Sequence, residues 1–179
     1  MADIRKLVVE DRGWIKKFQN FLPGYKKYRT CEDLRAADSM LRKELAVKLS
    51  DVENRVKRSR EEIAKDMDFD LINRIGELVN ISHRITEKVR HAEQGYAPWI
   101  SGDVRIEEDE LNKLYEYDLS LVDHITMLLD EARILEEASI YKAPDRMQRL
   151  VSMRNSLENF EDVFSQRIAK VTNVAQTSK

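Results

Sequence analysis

Cysteine occurs once in this sequence, at Cys31. A single thiol excludes a disulfide framework, and such sparing use fits a reducing compartment. Proline occurs three times and glycine five times, so little along the chain interrupts a helix. The only histidines are His83, His91 and His124. None has a glutamate three residues before it, which excludes the Glu-x-x-His ligand pairs of a di-iron bundle. Purely apolar runs reach only a few residues, far short of the roughly 20 that cross a bilayer. The stretch MADIRKLVVEDRGW carries acids within its short apolar run, unlike the unbroken apolar segment of a secretory signal. The expectation is a cytoplasmic protein.

What is present is charge and apolar residues in helical spacing. Charged residues make up 36% of the chain and hydrophobic residues 42%. That charge content exceeds the usual quarter and, with few aromatics, points to long helices with solvated outer faces. The 179 residues suit one domain, which at this size buries about 70% of its unfolded surface. Net charge is only −2, but it is unevenly spread. Residues 1–30 carry 8 basic and 3 acidic side chains, whereas residues 96–142 carry 4 and 12. A basic head and an acidic segment can attract each other within one fold or between two subunits.

Apolar spacing predicts five helical segments and no strand. The first covers about Asp3–Asn20, with Ile4, Leu7, Val8, Ile15 and Phe18 on one side, and ends at Pro23-Gly24. The second opens at Thr30 and carries the stripe Leu34, Ala37, Leu41, Leu45, Leu49, Val52, Val56 and Ile63. The third starts at Asp68 or Asp70, both suited to capping, and stops at Gly95; residues 95–102 read as a loop. The fourth has the clearest register. Leu111, Leu114, Asp118, Leu121, Ile125, Leu128, Ala132 and Leu135 alternate steps of three and four, the spacing of left-handed bundle packing. The fifth follows Pro144, with Leu150, Leu157, Phe164 and Val171 seven residues apart. The predicted fold is all-α: an antiparallel up-down bundle of four long helices plus a shorter N-terminal helix. It forms one domain over 1–179, with a basic amphipathic helix and PGY loop in 1–28 and bundle helices in 30–142 and 143–175.

Candidates for chemistry are few. Asp118 holds a seam position, where an unpaired carboxylate is costly. The expectation is a structural ion-pair network that ties it to an arginine of a neighbouring helix. Arg35, Asp38 and Arg42 form an i, i+3, i+7 ladder beside one stripe, and Arg154 edges another. Glu87 and His91 read as a solvated i,i+4 pair. The basic cluster RVKRSREE at 55–62 is flanked by acids and lacks the aromatic platforms of nucleic-acid binders, so it reads as a solvated helix face. The most suggestive segment is KKFQNFLPGYKKY at 16–28. There Phe18, Phe21, Tyr25 and Tyr28, with Trp14 just before them, alternate with lysines. Such a segment can dock on its own bundle, on a partner, or in a membrane interface.

FLPGYKKY followed by LRAADSMLRKEL, and GYAPWISGDVRI followed by DELNKLYEYDLSL, resemble two blocks of a group of prokaryotic all-helical proteins with no established activity. PGYKKY departs from that group in its second lysine, where a small residue is expected. The resemblance implies one helical domain and supplies no catalytic residues. No catalytic, cofactor-binding or metal-ligating residue is therefore assigned. The expected function is a non-enzymatic helical interaction or scaffold protein that associates with itself or another protein. The alternatives are a membrane-surface protein acting through residues 4–28 and a carboxylate-based metal-binding or enzymatic bundle around Asp118. Nucleic acid is not an expected partner.

Overall fold

A computed structural model describes Phe21 and residues 34–92 and 108–177; side-chain surroundings are described for Phe21, 39–92 and 116–169. Four long helices make up the described chain: α1 (Leu34–Ala64), α2 (Phe69–His91), α3 (Glu108–Ile140) and α4 (Arg146–Thr177). The N-terminal helix expected over Asp3–Asn20, the PGY loop, Cys31 and the loop at 95–102 lie outside the described residues.

The interior follows the apolar stripes. Leu41, Leu45, Leu49, Val52, Val56 and Ile63 of α1 are buried, as are Leu71, Ile75, Leu78, Ile85 and Val89 of α2. α3 buries Leu121, Ile125, Leu128, Ala132 and Leu135, and α4 buries Leu150, Met153, Leu157, Phe160 and Phe164. Each fully buried side chain of this kind is worth about 1.5–3 kcal/mol of transfer free energy. Small hydroxyls fill the stripe positions that lack an alkyl group. Ser59 donates to the Arg55 carbonyl, Ser82 to Val79, Thr86 to Ser82 and Ser139 to Leu135, so among the described residues each buried hydroxyl has a bond.

Two tight turns set the topology. After α1, Met67 takes a left-handed backbone with φ 53°. Asp68 then caps α2, its carboxylate accepting from the amides of Asp70 and Leu71 at 3.1 and 3.2 Å. After α3, Lys142 is left-handed with φ 54°. The Ala143 amide donates to Ala138 and the Lys142 amide to Ser139, the paired bonds of a Schellman stop. Both turns thus fold the chain back into helical hairpins.

The hairpins lie side by side with their turns at the same end. α1 packs on α2 and α3, and α4 packs on α3 and α2, which leaves α1/α4 and α2/α3 on the diagonals. Asp66 of the first turn pairs with Lys142 and Arg146 of the second. Arg58 faces Glu136, and Arg84 faces Glu161. Both registers run in the same sense along the two helices, so α1 is parallel to α3 and α2 to α4. Direction alternates up and down along the chain, as expected. The pairing of neighbours is the unforeseen part: the connection from α2 leads to the diagonal helix, not to the adjacent one.

Candidate functional site

Asp118 is buried on α3 at 3% exposure, and Arg167 of α4 donates to it from Nε while itself 2% exposed. This is the inter-helix pair that a seam carboxylate requires, and one of its partners is an arginine outside the candidates. Arg154 must be corrected. It is half-exposed on α4 and bonds Glu158 at 3.0 Å and Glu77 at 3.4 Å. The reason is antiparallel register. Asp118 lies early in α3, so it meets the late part of α4, about 20 Å beyond Arg154 at 1.5 Å per residue. Arg42 is buried on α1. The register that sets Arg58 beside Glu136, an offset of 78, brings Arg42 level with residue 120. Arg35 and Asp38 lie in α1, and their side chains fall outside the described ones. Reflection of position 118 through the turn at 142–143 would have pointed to Arg167.

Every seam between neighbouring helices carries one such acid. On α1/α2, Glu53 meets His83 at 3.1 Å and Lys57 at 2.7 Å. Burial pulls the Glu53 carboxyl up, but Lys57 and His83 together hold it below its ordinary value. On α1/α3, Glu136 takes Arg58 and Arg55, which lie one turn apart. The Arg58 hydrogen bond outweighs burial and lowers its pKa. On α2/α4, Arg84 grips Glu161 with both ends of its fork, at 2.6 and 2.8 Å, and Lys88 adds a contact at 2.9 Å. Arg84 again outweighs burial and keeps Glu161 ionised to lower pH. The cluster 55–62 is thus no idle solvated face, since two of its arginines clamp α3. Sequence reading missed Glu136 and Arg167 because charge spacing on one helix does not reveal the partner helix.

The histidines are spoken for locally. His83 faces Glu53, His91 pairs with Glu87 at 3.0 Å on the surface, and the His124 ring meets the Ser120 carbonyl at 2.7 Å. Among the described residues no group of three His, Cys, Asp or Glu side chains could hold a metal ion, and no helix is long and apolar enough to cross a membrane. Of the aromatic N-terminal surface, Phe21 is helical and packs into the bundle core at 8% exposure; Trp14, Phe18, Tyr25 and Tyr28 lie outside the described residues.

The turn end is different in kind. Met67, Phe69 and Tyr141 are 78%, 77% and 81% exposed, and Ile140 is half-exposed. The first two flank one turn and the last two belong to the other. The bridge from Asp66 to Lys142, 2.6 Å long, and to Arg146 holds the turns together. Lys142 and then Arg146 hold the Asp66 carboxyl below its usual range. The result is an apolar tip at one end of the bundle.

Comparison with known proteins found no matching family model, no matching curated protein and no matching solved structure. The resemblance of the FLPGYKKY and LYEYDLSL blocks therefore assigns no family.

Proposed function

We propose that this chain is a non-enzymatic helical interaction or scaffold protein that associates with itself. The observation that carries the reading is the apolar tip. Met67 and Phe69 at one turn, and Ile140 and Tyr141 at the other, are exposed at the same end of the bundle. Exposed large apolar side chains gathered at one end can mark a contact site, and aromatic residues and methionine are enriched at the centre of interfaces. The interior supports the same reading, since its seam carboxylate is committed to a guanidinium. Burial of Phe21 in the core favours protein over lipid as the contact of that side chain.

Sedimentation equilibrium of the full chain tests the proposal. The mass should rise with concentration above the 21.0 kDa of one chain. A mass that stays at one chain over the whole range would remove self-association from the reading.

A further inference from the structure

α1 and α2 do not match in length. α2 stops at His91, whereas α1 begins at Leu34. Arg90 bonds Ser50, so residue 50 of α1 is level with the last turn of α2, and the start of α1 runs past the end of its neighbour. The α1 side chains there fall in two rows at helical spacing. Arg42, Ala46 and Ser50 form one, Lys43 and Val47 the other. With Arg90 of α2 they line a cavity of about 370 Å³. Small-molecule sites occupy roughly 300–1,000 Å³. Ala46 and Ser50 are small, which leaves the space open.

None of the six lining residues is acidic. Arg42 is buried and already partnered, so it fixes the wall and supplies no spare charge. Arg90 gives one end of its guanidinium to Glu87, which also takes His91. From Nη2 it donates to the Ser50 hydroxyl at 3.1 Å. Ser50 is the acceptor in that bond and keeps its own proton for another partner. Lys43 is exposed and has no ion pair among the described residues. Ala46 and the largely exposed Val47 add an alkyl wall. The cavity thus sets one uncommitted ammonium, an oriented guanidinium and a hydroxyl donor beside apolar surface.

We infer that this cavity binds a small phosphate monoester that carries a short apolar group. A phosphate has enough oxygens to accept from an ammonium, a guanidinium and a hydroxyl at once. Its apolar group then lies on Ala46 and Val47. A metal cation would find no carboxylate in the lining. A neutral apolar molecule would cover Lys43 without giving it a partner, which is costly. The site lies on the half of α1 remote from the tip and does not depend on self-association.

Isothermal titration calorimetry of the full chain with hexyl phosphate and with inorganic phosphate tests the site. Hexyl phosphate should bind once per chain. Inorganic phosphate should bind roughly tenfold more weakly or worse, since each buried methylene adds about fourfold in affinity. Lys43→Glu should weaken hexyl phosphate roughly tenfold or more, because attraction becomes repulsion at short range. Circular dichroism should stay unchanged, since Lys43 stands in solvent. Val47→Ser should lower the affinity for hexyl phosphate and leave that for inorganic phosphate as it was. Arg60→Gln, at an exposed position further along α1, should change neither. Equal affinity for the two probes would mean an adventitious ion only and would overturn the inference. Binding of hexyl phosphate that survives Lys43→Glu, or no binding to the wild type, would overturn it as well. Vesicles of phosphatidic acid that capture the chain through Lys43, while hexyl phosphate stays unbound, would make a lipid surface the occupant and overturn the soluble ligand.

Discussion

Asp118 stands in a seam otherwise built of leucine, isoleucine and alanine, and its presence there needs a partner that repays desolvation. Arg167 is that partner, and both side chains are almost wholly hidden. Two consequences differ in sign. Removal of one member strands a buried charge, so Asp118→Ala or Arg167→Met alone should cost about 3–5 kcal/mol. Removal of both, as Asp118→Leu with Arg167→Met, restores an apolar seam and should be neutral or stabilising by about 1–4 kcal/mol. Urea midpoints of the three variants at neutral pH form the cycle. Equal losses in single and double variants would mean that the pair contributes by shape alone. That Asp118 needed an arginine was legible in its place among leucines. Which arginine was not, because one helix's pattern holds no register to the next.

At the scale of elements, the stripes of α1 to α4 reappear as buried faces. Steps of three and four fix which side of a helix is apolar whatever it packs against. The cap at Asp68 was one of two acids suited to the place, and the amides it accepts from decide between them. The arrangement of the hairpins was hidden, since fifteen residues from 93 to 107 are long enough to reach either an adjacent or a diagonal helix. The tip was hidden for another reason. Phe69 and Tyr141 sit beside turns, where helical periodicity says nothing about burial. α2 also carries a residue that works against it. Gly76 lies mid-helix, and a β-carbon there would meet nothing within 4 Å. Gly76→Ala should therefore stabilise the protein by about 0.5–1 kcal/mol, the usual helix preference for alanine. A lower melting temperature would place an unseen neighbour at that site.

Across the whole molecule, the two hairpins meet along α1/α3 and α2/α4, and each of these seams combines an apolar layer with a carboxylate clamp. Glu136 and Glu161 both have folded-state pKa values below the ordinary carboxylate value. A lowered pKa means that the folded state holds the charged form more strongly than the unfolded chain does. The stabilisation is therefore complete above the unfolded value of about 4.3 and fades as pH falls through the lowered folded value. Their partners are partly exposed, so screening keeps each clamp to the order of 1 kcal/mol. Glu136→Gln with Glu161→Gln should accordingly be less stable than the wild type at neutral pH by about 1–2 kcal/mol. The two should converge as pH drops below about 4.3, because the wild type then loses by protonation what the variant already lacks. Urea midpoints measured from neutral pH down into that acid range provide the comparison. Parallel curves would show that the clamps are too well solvated to hold the hairpins together, and would leave that task to the apolar layers alone.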